Sequence, residues 1–182
     1  MVRIADIRKD LPDWPDDVID PWLLRHANRS DLGWPPPDPI EEHGWTHLLG
    51  DKPLSWWKNV SWKLEDVDCA FENLSGATKY IVAQTTDAHV NGAKNNYGGD
   101  GSKRTFDAAL RHLLRHGTFS KPLIGMRIRD GLSILDGNHR ISAHVVSQQM
   151  DEAQLKAKNG HKPQAKQKLW IGTHSAGEVL NS

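Results

Sequence analysis

A short apolar run that turns through a glycine into a helix constrains the fold of this chain more than any other stretch. Residues 132–135 predict a buried strand, Gly137 a turn, and the following residues a helix that reaches about Leu155. A strand that leads through glycine into a helix leaves backbone N–H groups free at the positive end of the helix dipole. Such helix ends bind phosphate. The stretch therefore predicts an α/β fold with an anion-binding turn.

Three chemically active side chains lie within five residues of this turn. Asp136 can hold a divalent cation such as Mg²⁺ or position a nucleophile, and His139 can transfer a proton near neutral pH. Arg140 offers a planar fork that matches phosphate oxygens. Gly137 and Asn138 add backbone N–H groups. This arrangement suits phosphoryl or phosphodiester chemistry on a nucleotide or a nucleic acid.

Purely structural roles are the alternative for the same side chains. Aspartate is a favoured N-cap, so Asp136 can simply cap the helix. Arg140 can pair with a core carboxylate. A short motif without its context does not choose between these roles and a functional site.

The context of the turn resembles the signature of the ParB/sulfiredoxin superfamily. In that family a strand of the type P-[IL]-x-V and a hairpin lead into D-G-x-H-R-x-x-A. Here residues 122–128 form the first strand, residues 129–131 its turn, and the likeness covers roughly 121–146, with a closing strand at 168–172. The motif positions that match as they stand are Asp136, Gly137, His139, Arg140 and Ala143.

The resemblance implies a small mixed sheet with flanking helices that binds a nucleoside triphosphate, such as ATP, through the strand–helix turn. Known members include nucleotide-hydrolysing DNA-partition proteins, nuclease-like domains, a free-serine kinase and sulfiredoxins. Sulfiredoxin activity is excluded, because Asn138 stands where the attacking cysteine belongs and Cys69 is the only cysteine. A partition protein would need a helix-turn-helix segment after the motif, and none is evident. Length and stand-alone architecture are similar to plasmid fertility-inhibition (oncogenic-suppression) proteins, which act against transferred DNA.

Composition favours a single domain with an elaborated N-terminal part. The 182 residues carry 23 Lys and Arg against 23 Asp and Glu, so global charge does not indicate nucleic-acid binding, although a local basic face can. One cysteine and no apolar run of signal or membrane-span length predict a cytoplasmic protein without a membrane span. We divide the chain into a helical, Pro- and Trp-rich extension (1–52) and a ParB/sulfiredoxin-like domain (53–182).

Local patterns predict the remaining elements. Helices are expected at 16–28, 40–49, 65–73 and 105–116, the last capped by Thr105; strands are expected at 60–64, 80–83, 121–129, 131–135 and 169–171. Residues 34–39 form a stiff proline-rich connector or a partner-docking segment, and the tail from Thr173 is frayed or a last helical turn. Trp56, Trp57 and Trp62 are expected in the core rather than as stacking platforms for bases.

Basic residues suggest further anion contacts. The glycine-rich segment 95–104 is either a surface loop or a loop that closes over phosphates through Lys103 and Arg104, with Lys121 adding a third contact. Arg111 and Arg115 form a strip on one helix, which is either solvated or a contact for the DNA backbone. Lys162 lies in a lysine-rich loop that is likewise either solvated or a contact for the DNA backbone. His112 and His116 have the spacing of two zinc ligands, but no third ligand is evident.

Together these features predict a nucleotide-binding phosphohydrolase, an ATPase or a DNase or both. Arg140 would clamp phosphate, His139 would act as acid or base, and Asp136 would hold the metal or activate water. Two other functions stay open. The protein can be a non-catalytic module that docks a DNA-transfer (secretion) machine, or a small-molecule kinase of the serine type.

Overall fold

A four-stranded mixed sheet forms the centre of the molecule, in a computed structural model that describes residues 1–38, 40 and 44–180. The strands are β1 (Val60–Asp68), β2 (Leu123–Ile128), β3 (Gly131–Asp136) and β4 (Lys166–His174), in the order β1-β4-β2-β3. Helices cover both faces. The predicted α/β class with a small mixed sheet is confirmed.

Strand pairing brings the end of β3 next to the beginning of β2. β1 pairs antiparallel with β4, β4 runs parallel to β2, and β2 and β3 form an antiparallel hairpin. In that hairpin Ile124 lies opposite Asp136, at a register shift in the ladder. The residues that precede β2 therefore lie beside the strand–helix turn after Asp136. The hairpin predicted at 121–135 is confirmed, and it fixes the surroundings of the motif.

The N-terminal segment is helical and contains an unusual wide turn. Short helices are α1 (Ile4–Ile7), α2 (Asp16–Val18), α3 (Arg25–Ala27), α4 (Gly44–Leu48) and α5 (Leu54–Trp57). A π-helical segment, Ile19–Leu24, joins α2 to α3 without a break. Pro21 lies within it, where a regular α-helix would force the proline ring against the carbonyl four residues earlier. The wider turn accommodates this proline.

Tryptophan rings form the core between this segment and the sheet. The rings of Trp14, Trp22, Trp57 and Trp62 lie with centroids 5.0–6.1 Å apart, most of them edge to face. They share one hydrophobic cluster with side chains from β2, such as Met126. Edge-to-face packing is the arrangement that the ring quadrupoles favour. The expected core role of the tryptophans is confirmed, and segment 1–52 shares this core with the sheet.

The opposite face of the sheet carries the four longer helices in two tiers. These are α6 (Gly76–His89), α7 (Asp100–His116), α8 (Asn138–Gln149) and α9 (Glu152–Ala157). Successive residues of a strand point to opposite faces, so Ile134 packs beneath α8 while Leu135 contacts the tryptophan side. A third cluster joins Phe106 and Leu113 of α7 to Ala143 of α8. This packing holds the first turns of α7 and α8 side by side.

Two predicted elements before the motif are wrong. The helix expected at 65–73 is replaced by the second half of β1, which pairs with β4 along its full nine residues, and by a short 3₁₀ turn at Phe71–Asn73. The strand expected at 80–83 is the middle of α6. That helix begins after Ser75, whose hydroxyl accepts a hydrogen bond from the Thr78 N–H. Long-range pairing thus outweighs the helical pattern at 65–73, and a helix cap outweighs the β-branched pattern at 80–83.

Several boundaries also differ from those expected. α7 begins at Asp100 with Gly99 as its N-cap, so Lys103 and Arg104 belong to a helix rather than to a loop. α8 ends at Gln149, and α9 is a separate helix capped by Asp151. β4 extends to His174, past the predicted 169–171. The expected connector 34–39 and helix 40–49 include Pro39 and residues 41–43, which lie outside the described residues. Within the described part of the chain, no helix has the length and apolar character that spanning a bilayer requires.

A matched pair of tryptophan substitutions tests this core. Trp22 and Trp57 are both fully buried, but among the described residues only the indole N–H of Trp57 has an acceptor, the carbonyl of Leu49 at 3.1 Å. Each change to phenylalanine removes a similar volume. We expect Trp57→Phe to lower the free energy of unfolding by about 1 kcal/mol more than Trp22→Phe, because it removes a buried hydrogen bond, whereas Trp22→Phe removes an indole N–H that has no acceptor among the described residues. Urea unfolding followed by far-ultraviolet circular dichroism measures both, and equal losses would contradict the assignment.

Candidate active site at the strand–helix turn

The turn after β3 is built on a glycine in the left-handed region. Gly137 has φ +103° and serves as the N-cap of α8, with no side-chain cap hydrogen bond. A Cβ at this position would collide with a methyl group of Leu123 and lie 2.9 Å from the guanidinium of Arg140. The position therefore requires glycine. Asp136 does not cap the helix, so that alternative reading of its role is wrong.

The guanidinium of Arg140 folds back over Gly137 and binds the protein itself. Its Nη1 donates to the carbonyl oxygens of Lys121 (2.7 Å) and Pro122 (3.1 Å), and its Nη2 donates to Asp136 Oδ2 at 2.8 Å. The two side chains of the ion pair are only 17% and 16% exposed. The sequence left open that Arg140 pairs with a carboxylate, and the structure shows this pairing. Its role as a phosphate clamp stays a prediction.

Charges from the N-terminal segment reach the same turn. Burial raises the pKa of Asp136 above its ordinary value, while the positive charges of Arg140, Arg25 and His26 act in the opposite direction. Burial lowers the pKa of Arg140. Arg25 is exposed and His26 half-buried, both on α3. The sequence motif gave no signal for these two residues, because they lie more than 100 positions away from it.

His139 belongs to a hydrogen-bond cluster that the sequence also did not indicate. Its Nε2 lies 2.8 Å from the hydroxyl of Ser102, and Nε2 of His89 lies 2.8 Å from the same oxygen. The hydroxyl of Ser102 donates to the carbonyl of Tyr97 at 2.7 Å. Burial, His89 and Arg25 all lower the pKa of His139. The imidazole is therefore neutral at neutral pH and can accept a proton.

The hydrogen bond between Ser102 and His139 joins the first turns of two helices. α7 and α8 both have glycine as the N-cap, and neither has a side-chain cap hydrogen bond. Their first N–H groups and the positive ends of their dipoles therefore meet at one place. Asp100 contributes one acidic group to the first turn of α7. The rest of the glycine-rich segment lies alongside, because Tyr97 accepts the hydrogen bond from Ser102.

The three cations expected as further phosphate contacts are placed differently from one another. Lys103 pairs with Asp107 at 3.2 Å along α7, and Arg104 is exposed in the same helix. Lys121 reaches the turn only through its carbonyl oxygen, and its side chain is exposed. The structure thus puts none of these ammonium or guanidinium groups in contact with the turn.

The basic strip on α7 forms one wall of a groove. Arg111 and Arg115 line a cavity of about 570 Å³ together with Lys103, Asp107 and Lys158, over the side chains of Leu110 and Leu114. Three of these cations have no acidic partner in the groove, since Asp107 pairs with Lys103. Lys162 is exposed but does not line this groove. The proposed contacts of Arg111, Arg115 and Lys162 with DNA stay predictions.

The donors at the turn do not fit a metal ion held by the protein. Among the described residues no group of three or more His, Cys, Asp or Glu side chains could hold one. Mg²⁺ prefers carboxylate oxygens, yet Asp136 binds Arg140 and lies in the field of Arg25, and both guanidinium groups repel a cation. Magnesium bound to Asp136 stays a prediction that this geometry does not favour. His112 and His116 lie with ring centroids 4.4 Å apart, and no third ligand joins them in the part of the chain that the structure describes.

Removing Arg140 tests the structural part of this site. Arg140→Ala leaves the carboxylate of Asp136 buried without its partner, so we expect the free energy of unfolding to fall by about 3 kcal/mol at pH 7. The pKa of Asp136 then rises further above its unfolded value. A carboxyl with a raised pKa stabilises the fold less as pH rises, so the loss should shrink as pH falls toward about 4. Urea unfolding at several pH values measures this.

An exposed ion pair supplies the matched control. Arg127 pairs with Glu65 at 3.3 Å but is 60% exposed, so Arg127→Ala should change the free energy of unfolding by less than about 1 kcal/mol. The double variant Arg140→Ala with Asp136→Asn should recover part of the lost stability. Equal losses for the two arginine variants would show that Arg140 does not lock the turn.

Comparison with known proteins gives no match, since no family model, curated protein or solved structure is similar enough to this chain to indicate a relationship. The likeness to the ParB/sulfiredoxin superfamily rests on the residues of the turn motif alone and stays a prediction.

Proposed function

We propose that the protein binds the phosphate of a nucleotide where the N-termini of α7 and α8 meet, and that it hydrolyses a phosphate ester there. The observation that carries this proposal is the hydrogen bond between Ser102 and His139. It places a neutral imidazole between two helix ends that lack side-chain caps. Phosphate binding and proton transfer thus have their groups at one place.

Binding would use the backbone first. The initial N–H groups of α8, at Asn138 and His139, have no acceptor within the helix, and the same holds for the first turn of α7. Both helices exceed ten residues, so each presents a developed dipole to an anion. Arg25 adds an exposed positive charge from the tryptophan-rich segment.

Hydrolysis would use His139 as the base. A neutral imidazole can take a proton from a water molecule that attacks phosphorus, and the helix ends stabilise the negative charge that develops on the phosphate oxygens. Arg140 would be a positioning residue, since it holds the turn that carries His139. Asp136 neutralises the charge of Arg140 through their ion pair.

The groove on α7 supports a nucleic acid among the substrates. Arg111 and Arg115 of α7 and Lys158, which follows α9, line this groove with three cations that would contact the phosphate backbone of a bound strand. The proposal thus includes ATP hydrolysis, DNA cleavage or both, and the role of a plasmid fertility-inhibition factor acting against transferred DNA.

One observation favours a second candidate, a nucleotide-binding module without catalysis that docks a DNA-transfer machine. The two charged side chains of the motif, Asp136 and Arg140, bind each other and the protein backbone. A turn locked in this way serves binding as well as it serves hydrolysis. A serine-type kinase would use the same phosphate site and differs only in its acceptor.

Release of inorganic phosphate tests the proposal. Purified protein with ATP and Mg²⁺ would be assayed alone, with single-stranded DNA and with serine, beside a DNA-nicking assay. We expect release, or nicking, that His139→Gln lowers at least about 100-fold. His161→Gln is the matched control, because the side chain of His161 is exposed and only its backbone forms a hydrogen bond.

The pH dependence follows from the lowered pKa of His139. The base form persists below the ordinary histidine value of about 6.5, so activity should stay level from pH 8 down past 6.5 and fall only at more acidic pH. Binding of nucleotide without release or nicking under any condition favours the non-catalytic module. Dependence of release on serine favours the kinase, and full activity of His139→Gln refutes the site.

A further inference from the structure

The hydroxyl of Ser102 has three hydrogen-bond partners and one hydrogen to give. It lies 2.8 Å from Nε2 of His89, 2.8 Å from Nε2 of His139 and 2.7 Å from the carbonyl oxygen of Tyr97. A carbonyl oxygen can only accept, whereas a hydroxyl can donate once and accept twice. All three contacts are satisfied in one way, with Ser102 donating to Tyr97 and accepting from both imidazoles.

This hydrogen bonding fixes the tautomer of both histidines. Each imidazole must carry its hydrogen on Nε2 in order to donate to Ser102. A neutral imidazole has one N–H, so Nδ1 of each ring bears a lone pair. The pKa values of His89 and His139 are both lowered, mainly by burial, which keeps the rings neutral near pH 7.

The two Nδ1 atoms have different surroundings. Nδ1 of His89 is buried and has no hydrogen-bond partner among the described residues, so no substrate can reach it. Nδ1 of His139 is not buried in this way, and His139 is the second residue of α8, next to the free N–H groups of the turn. Only the second lone pair is available for chemistry.

We propose that Ser102 is a positioning residue that holds His139 in the Nε2–H tautomer and leaves Nδ1 as the proton acceptor of the site. The mechanistic part of this inference rests on the proposed function. A water molecule gives a proton to Nδ1 while its oxygen bonds phosphorus and the bond from phosphorus to the leaving oxygen breaks. The imidazolium then returns the proton to the leaving oxygen, so atoms and charge balance.

His89 donates the second hydrogen bond to the hydroxyl of Ser102, and its ring lies close to that of His139. The ring centroid of His89 lies 6.3 Å from that of His139, with the ring planes 23° apart, and 5.3 Å from that of Phe106 of α7. The charged groups around the pair are Arg25 beside His139, and Lys103 and Asp107 beside His89. A charge on one ring disfavours a charge on the other, so His89 reinforces the neutral form of His139.

Imidazole NMR of the full-length, ¹⁵N-labelled chain tests the tautomer directly. Long-range ¹H–¹⁵N spectra distinguish Nδ1–H, Nε2–H and doubly protonated rings, and His89→Gln and His139→Gln assign the signals. We expect the Nε2–H form for both rings. Ser102→Ala should convert His139 to a mixture of tautomers, while Ser102→Thr, which keeps the hydroxyl, should preserve the Nε2–H form. Ser61→Ala, at an exposed hydroxyl on β1, is the control.

The results separate this inference from the proposed function. An Nδ1–H form of His139 in the wild-type chain, or unchanged His139 signals in Ser102→Ala, would overturn the role of Ser102. If the tautomers behave as expected and no phosphate is released, the positioning by Ser102 stands and hydrolysis fails. With activity present, Ser102→Ala should lower kcat about 10–100-fold with little change in KM and shift the acid limb of the pH profile, whereas Ser102→Thr should not.

Discussion

The guanidinium of Arg140 is the interaction on which the turn depends. It connects the end of β3, the first turn of α8 and the residues before β2 through three hydrogen bonds, and it lies directly over Gly137. Because Gly137 lacks a Cβ, the guanidinium can lie against the backbone. The path of the chain between Asp136 and His139 is thereby set. Arg140 therefore holds its neighbours in place, and in the function proposed above His139 is the residue that transfers the proton.

Residues from both sides of the sheet contribute to the surroundings of this turn. On one side of the sheet the tryptophan cluster fixes the N-terminal helices, and so it brings Arg25 and His26 to the turn. On the other side the contacts between α7 and α8 bring Ser102 to His139. Neither set of residues is close to the motif in sequence. The site therefore exists only once the whole chain has folded around the sheet.

Sequence patterns predicted the elements that neighbouring residues determine and missed those that depend on contacts between distant parts of the chain. The strand at 132–135, predicted from its apolar run, the turn at Gly137 and the helix after it could be predicted, because each follows from neighbouring residues. The second half of β1 could not, because nine pairs with β4 outweigh a pattern that looks helical. The strand expected at 80–83 is wrong because the cap at Ser75 begins a helix that continues through these residues. Arg25, His89 and Ser102 carry no motif, so only the fold reveals their part in the site.

The π-helical segment before α3 determines how the N-terminal extension is positioned relative to the turn at Gly137. A wide turn of this kind holds one residue more than the α-helix around it would need, and each residue of a helix advances the side-chain direction by about 100°. Deleting one residue within 19–24 would therefore restore a regular helix with little rotation of the residues beyond it, and Arg25 and His26 would keep their places beside Asp136. The wider turn thus admits a proline into the extension without loss of register between the extension and the turn at Gly137.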